Sequence, residues 1–176
     1  KDKYVGIDLG VITFATLSTG EKIKNPKHWH GAERRLKIRQ RRLSRKTKGS
    51  NSRKKARLPV ARMHERIANA RKDFHHKLSR RLVDEYGHIA FESLNIKGML
   101  KNHNLAKAIS GAGWHQFVAY VSYKAAWNST VVDKVGRFVP SSKLCSVCGE
   151  KNQTITLDKR QWACPNCGAT HDRDVN

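Results

Sequence analysis

The chain has 176 residues, of which 36 are Lys or Arg and 14 are Asp or Glu, so its formal charge is +22. With 38% hydrophobic residues it can bury one or two cores, which excludes a disulfide-dependent miniprotein, and no run reaches the roughly 20 apolar residues of a transmembrane helix. Lys1-Asp2-Lys3 leads directly into a strand-like run with no initiator Met and no signal peptide, and so reads as part of a longer protein.

Tyr4 to Leu9 alternates, with Val5, Ile7 and Leu9 on one face and Tyr4, Gly6 and Asp8 on the other. Asp8 therefore ends a strand on the face opposite its aliphatic residues. Phe14 to Leu17 and Glu21 to Lys24, around Ser18-Thr19-Gly20, read as a hairpin that completes a three-stranded meander.

Ala32 to Lys46 is helix-like, residues 47–52 form a breaker cluster, and a longer helix follows. Val60, Met63, Ile67, Ala70, Phe74, Leu78 and Leu82 give that helix one apolar stripe at steps of three and four. Together they predict a helical hairpin with a flexible tip. From Arg34 to Arg81 there are twenty Lys or Arg and two acids, Glu65 and Asp73, so 48 residues carry +18 of the +22. A solvated helix face mixes both signs. This one leaves its repulsion unrelieved unless an external polyanion neutralises it, and phosphate backbone fits that role. An anionic membrane is the alternative, but the stripe faces a core and lacks the bulky aromatics of an interfacial helix.

His88 to Glu92 repeats the first pattern: Ile89 and Phe91 share one face, and His88, Ala90 and Glu92 share the other. Each acid has a small residue, Gly6 or Ala90, two positions before it. If the two strands are neighbours, Asp8 and Glu92 converge at one end of a sheet, an arrangement that calls for cations between them. Leu94-Asn95-Ile96 reads as a loop. A helix follows from about Gly113 to Asn128, with Trp114, Phe117, Val118, Val121 and Ala125 facing a core, and Val131 to Val135 supplies another strand. Within that strand Asp133 reads as a structural polar residue, with a ligand role as the lesser option.

All four cysteines fall in two Cys-x-x-Cys pairs, Cys145/Cys148 and Cys164/Cys167, the spacing of a four-thiolate metal site and not of a disulfide framework. One structural zinc is expected, with a rubredoxin-like iron as the alternative. Thr154 to Leu157 and Gln161 to Ala163 would be the ribbon's strands. Two further acids, Asp172 and Asp174, follow the second pair and read as the start of a helix, with Asp172 near its N-cap.

Several segments carry a family resemblance: Val5-Gly6-Ile7-Asp8-Leu9-Gly10, Arg41-Arg42-Leu43-Ser44-Arg45-Lys46, Phe91-Glu92-Ser93-Leu94-Asn95, Pro140-Ser141-Ser142-Lys143-Leu144-Cys145, Cys164-Pro165-Asn166-Cys167-Gly168 and Asp172-Arg173-Asp174-Val175-Asn176. In this order they resemble the RuvC-like nuclease segment of the TnpB family, transposon-encoded RNA-guided DNA endonucleases related to type V CRISPR effectors. Ser93 departs from the Asp often found there. The resemblance implies an α/β, RNase H-like (RuvC) fold with a basic helical-hairpin insertion and an inserted four-Cys zinc ribbon. The segments would be 1–26 and 87–142 for the two parts of the RuvC-like domain, 27–86 for the hairpin, 143–170 for the ribbon and 171–176 for the start of a final helix.

It further implies that Asp8, Glu92 and Asp174 hold two Mg²⁺ or Mn²⁺ ions for phosphodiester hydrolysis, the family motif favouring Asp174 over Asp172. Three acids set −3 against +4, which leaves such a site attractive to phosphate. Arg41, Arg42, Arg45, Lys46, Arg53, Lys54, Lys55 and Arg57 would bind nucleic acid. DNA is the expected substrate, with a guide RNA as partner and a cytoplasmic, nucleoid-associated setting. The rival readings are a catalytically silent nucleic-acid-binding zinc-ribbon module and a strand-transferring transposase.

Overall fold

A computed structural model of the chain describes residues 2–136, 143–153, 155, 161–173 and 175. Its centre is a five-stranded sheet of β1 (Tyr4–Leu9), β2 (Thr13–Leu17), β3 (Lys22–Lys24), β4 (His88–Glu92) and β5 (Val131–Val135), in the order β3-β2-β1-β4-β5. The first three strands form the expected antiparallel meander, while β4 and β5 run parallel to β1. The expected alternation holds in β1 and β4: Val5, Ile7, Leu9, Ile89 and Phe91 are all buried. Two helices cover that face, α2 (Asn51–Glu85) through Leu78, Leu82 and Val83, and α5 (Trp114–Trp127) through Trp114, Phe117, Val121 and Ala125.

Helix α1 (His28–Ser44) lies antiparallel against the first half of α2, and Leu36, Val60 and Met63 form a small core between them. The turn between the helices is fixed from within. Ser50 caps α2 by accepting from the Arg53 N–H, and the Arg53 guanidinium donates to the carbonyls of Leu43 and Lys46 at 3.0 Å, closing the end of α1. Pro59 sits inside α2, and its carbonyl accepts from Arg39 across the hairpin.

Two helices stand where the sequence reads only as a loop at 94–96 and shows no element from there to 112: α3 (Ile96–Met99) and α4 (His103–Ala112). Asn95 and Asn102 cap them, each accepting a backbone N–H at 3.1 Å. These helices are too short for a strong periodic signal. Gly113 separates α4 from α5 at φ 64, and an added Cβ there would lie 3.1 Å from Arg71 Cδ. Only glycine suits that corner. Beyond β5, β6 (Gln161–Ala163) pairs with β7 (Thr170–Asp172) around a third small core of Cys145, Ile155, Trp162 and Cys164. The expected strand at Thr154 to Leu157 lies outside the described residues apart from Ile155.

Candidate carboxylate site, thiolate centre and basic hairpin

The two acids that the alternation singled out sit on the two central strands. Strands β1 and β4 are parallel neighbours, paired Tyr4 with His88, Val5 with Ile89, Gly6 with Ala90 and Ile7 with Phe91. One further step in that register sets Asp8 beside Glu92. Paired residues of neighbouring strands point to the same face, so both carboxylates leave the sheet on the side away from the apolar core. The two small residues, Gly6 and Ala90, pair directly beneath them. Asp8 is half-buried and Glu92 exposed. Asp133 pairs with Ala90 and so shares this face, one step short of Glu92, which pairs with Val135.

Beside Glu92 opens a cavity of about 260 Å³ whose walls include Leu9, Phe91, Trp114, His115 and Lys134. His115 and Lys134 carried no signal in the sequence: one lies on a helix face and the other on a strand edge, and only the crossover from β4 through α5 to β5 brings them to this end of the sheet. The carboxylate donor set suits a hard divalent cation, since oxygen ligands from two strands one interstrand spacing apart can share one ion. Asp174 lies outside the described residues. Asp172, read as the cap of a helix, instead ends strand β7 opposite Gln161. Its carboxylate accepts from Lys22 of β3 at 2.9 Å, and its carbonyl accepts from the Val175 N–H at 3.0 Å in a turn. The ribbon thus ends in a strand at 172 that is tied to the edge of the main sheet.

Both cysteine pairs adopt the same knuckle. Gly149 N–H donates to the Cys145 carbonyl and Gly168 N–H to the Cys164 carbonyl, both at 2.9 Å, with the two glycines at φ 74 and 72. All four sulfurs lie within 4.8 Å of one another, and Cys145–Cys167 and Cys148–Cys164 are both 3.6 Å apart. A tetrahedron with zinc–sulfur bonds of about 2.3 Å has sulfurs about 3.8 Å apart, so the cluster fits a four-coordinate metal such as zinc.

The thiols also resist sharing this space without a cation. The Glu150 N–H pulls the Cys148 thiol down to about 6. At Cys167 the Ala169 N–H favours the thiolate, but burial and the neighbouring thiols outweigh it and push the group up to about 12. His171, which sequence reasoning passed over, stands with Nε2 3.1 Å from Cys145 Sγ and its ring 4.6 Å from that of Trp162. An N–H donated to a metal-bound thiolate from there would relieve the negative charge of four sulfurs.

In the hairpin, residues 34–64 hold fourteen Lys or Arg and no acid, so no ion pair can form within them. Arg41, Arg42, Arg45, Lys46, Lys54, Lys55 and Arg57 are exposed, whereas Arg53 is half-buried and spent on the turn. Arg39, Arg42, Arg45, Lys46 and Lys55 rim an open cleft of about 670 Å³ between the helix ends.

A family model described as "Probable transposase", OrfB_IS605, matches residues 1–103, and a second, "Cas12f1-like, TNB domain", matches residues 114–176. The chain belongs to the TnpB family. A Streptomyces pristinaespiralis protein named as an RNA-guided DNA endonuclease is 51% identical over 98% of this chain and 42% of its own length. InsQ of Escherichia coli K12, named likewise, is 30% identical over 98% of this chain and 46% of its own. The chain therefore spans less than half the length of these curated relatives. In fold it is similar to the Cas12f1 chain of a Cas12f1–sgRNA–target DNA complex, with a TM-score of 0.64 at 18% identity, over 98% of this chain and 47% of that one.

Proposed function

We propose that this TnpB-family chain is the RuvC-like catalytic segment of an RNA-guided, divalent-metal-dependent DNA endonuclease that hydrolyses phosphodiester bonds by a two-metal mechanism. The observation that carries this reading is the in-register placement of Asp8 and Glu92 on the two central parallel strands. A meander followed by two strands parallel to its first supports an RNase H-like sheet, with the basic hairpin as an insertion between β3 and β4. Asp8 and Glu92, with Asp174 as the third acid, would hold Mg²⁺ or Mn²⁺. Bound there, two such ions supply activation of the attacking water and neutralisation of the leaving 3′ oxygen.

The chain's own residues do the rest. The sheet fixes the carboxylates without a flexible loop, Gly6 and Ala90 leave room above the strands, and the exposed cations of the hairpin hold phosphates of DNA or guide RNA in register with the site. The ribbon, with one structural zinc on Cys145, Cys148, Cys164 and Cys167, anchors the segment leading to Asp174. A cytoplasmic, nucleoid-associated setting goes with these partners.

The test is cleavage by the guide-loaded, full-length protein. Asp8→Ala and Glu92→Ala should each abolish metal-dependent cleavage and leave DNA binding nearly intact, with no further loss in the double variant, because either disables the same unit. Normal cleavage by Glu92→Ala would overturn the paired-strand site, and no cleavage by the parent protein would leave a silent binding module. Strand transfer is the second reading, favoured by the transposase description of the family model. Joined strands among the products, in place of hydrolysed ends, would select it.

A further inference from the structure

Trp127, the last residue of α5, is 78% exposed, a position that hides almost none of its large apolar ring. Its neighbours are aromatic as well. Tyr123 packs edge-on against it at 4.8 Å between ring centroids, Tyr120 lies edge-on to Tyr123 at 5.8 Å, and His76 of α2 stacks on Tyr120 at 4.1 Å with the planes 20° apart. Residues 120, 123 and 127 are three and four apart, so they form one stripe on α5 beside the core-facing Phe117, Val121 and Ala125. The stripe is held from below: Lys124 Nζ donates to the His76 carbonyl at 2.7 Å and to Ser79 Oγ at 2.8 Å. Burial, then Lys124 and Lys72, push the His76 pKa down, so its ring presents an uncharged face. Lys72 and Arg80, the latter paired with Asp84 at 2.7 Å, stand four residues to either side of His76 along α2, so cations border the aromatic row.

We propose that Tyr120, Tyr123 and Trp127, with His76, form a stacking platform for the bases of an unpaired nucleic-acid strand. This rests on the reading that the chain acts on nucleic acid. Ring faces bordered by cations are what single-strand binders offer, since every base has a π-face and every phosphate a charge. A second copy of the chain is a poor occupant, because it would bring +22 against +22. The platform is distinct from the carboxylate pair. Trp114, at the other end of α5, lines the cavity beside Glu92, and the thirteen-residue step to Trp127 is roughly 20 Å of helix.

The experiment titrates short oligo-dT and oligo-rU strands into the chain and follows tryptophan emission and anisotropy, with a duplex of equal length as control. The chain has four tryptophans, so Trp127→Phe isolates the platform's share: the quenching that this variant loses relative to the parent comes from Trp127, and a clear loss is expected. Trp127→Ala should weaken single-strand binding by about five- to tenfold, while duplex affinity stays within about twofold and the salt dependence is unchanged, because no charge is lost. Tighter binding of oligo-rU would assign the platform to RNA and tighter binding of oligo-dT to a displaced DNA strand. Unaltered single-strand affinity in Trp127→Ala, with as much quenching in Trp127→Phe as in the parent chain, overturns the proposal while leaving the functional reading in place. A Trp127→Ala effect confined to self-association or to capture of an acidic protein overturns it equally. Failure of any oligonucleotide to bind refutes the functional reading as well.

Discussion

Glu92→Gln tests the carboxylate pair without a guide, a target or a cleavage assay. Continuing the β1–β4 register puts Asp8 and Glu92 on backbones about 4.8 Å apart. Two like charges at about 5 Å repel by about 3 kcal/mol at an effective dielectric of 20, and by about 1 kcal/mol in water. Glu92 is exposed and Asp8 half-buried, so solvent screening holds the effect near the lower figure, and Lys134 in the adjoining cavity makes about 1 kcal/mol a ceiling. Without added Mg²⁺ or Mn²⁺ the variant should therefore melt higher than the parent chain by at most about 2 to 4 °C, the response expected of a domain of this size to about 1 kcal/mol. Millimolar Mn²⁺ should reverse the order. The parent should gain stability through linkage, and the variant, having lost a ligand, should gain little. Melts followed by circular dichroism, with and without the ion, decide it. If Glu92→Gln melts lower without added cation, or if both proteins gain equally from Mn²⁺, the two carboxylates do not share a cation site.

Cys145→Ser should lower bound zinc from one per chain and melt residues 143–172 locally while the main sheet persists, read by elemental analysis and amide exchange. His75 is fully buried, its Nε2–H donates to the Ala112 carbonyl at 2.9 Å, and burial lowers its pKa from 6.5 to about 4. The unfolded chain therefore takes up a proton that the fold refuses. Stability present above about pH 6.5 should fall by about 3 kcal/mol toward pH 4, and stability from urea melts at a series of pH values should fall less steeply with pH in His75→Leu. Asp172→Asn breaks an exposed ion pair with Lys22 and should cost about 1 kcal/mol or less without stopping cleavage, whereas Asp174→Asn should stop it; the opposite pattern would reassign the third acid. Affinity for DNA at two salt concentrations should drop steeply, and a flat response would remove the hairpin as a phosphate-binding element.

Local pattern made most of the fold legible. The period of two in β1 and β4, the long stripe of α2 and the breaker at 47–52 each involve neighbours in sequence; the structure repeats the two strands and the stripe, and interrupts the helices at 45–50, with Asn51 and Ser52 of the breaker already in α2. Helices α3 and α4 escaped because four and ten residues make too few turns to establish a period. The end of the ribbon escaped for another reason. His171 and Asp172 look like the polar start of a helix, but pairing with Gln161 and Trp162 makes them a strand. That pairing is a long-range hydrogen-bond ladder that no local propensity records.

By itself, the sequence determined the charge, the four-thiolate spacing and the face on which each acid leaves its strand, because these depend only on residue identity and on the two-residue period of an extended chain. Tertiary structure alone decided that β1 and β4 are parallel neighbours in a register that levels Asp8 with Glu92, which 83 intervening residues could not announce. It also decided which cations remain available. Arg53 is drawn into the hairpin turn while Arg42 and Lys55 face the cleft. The row from His76 to Trp127 arises in the same way. Its rings come from two helices brought together by core packing, and the burial of Phe117 and Val121 turns the next stripe of α5 outward into solvent.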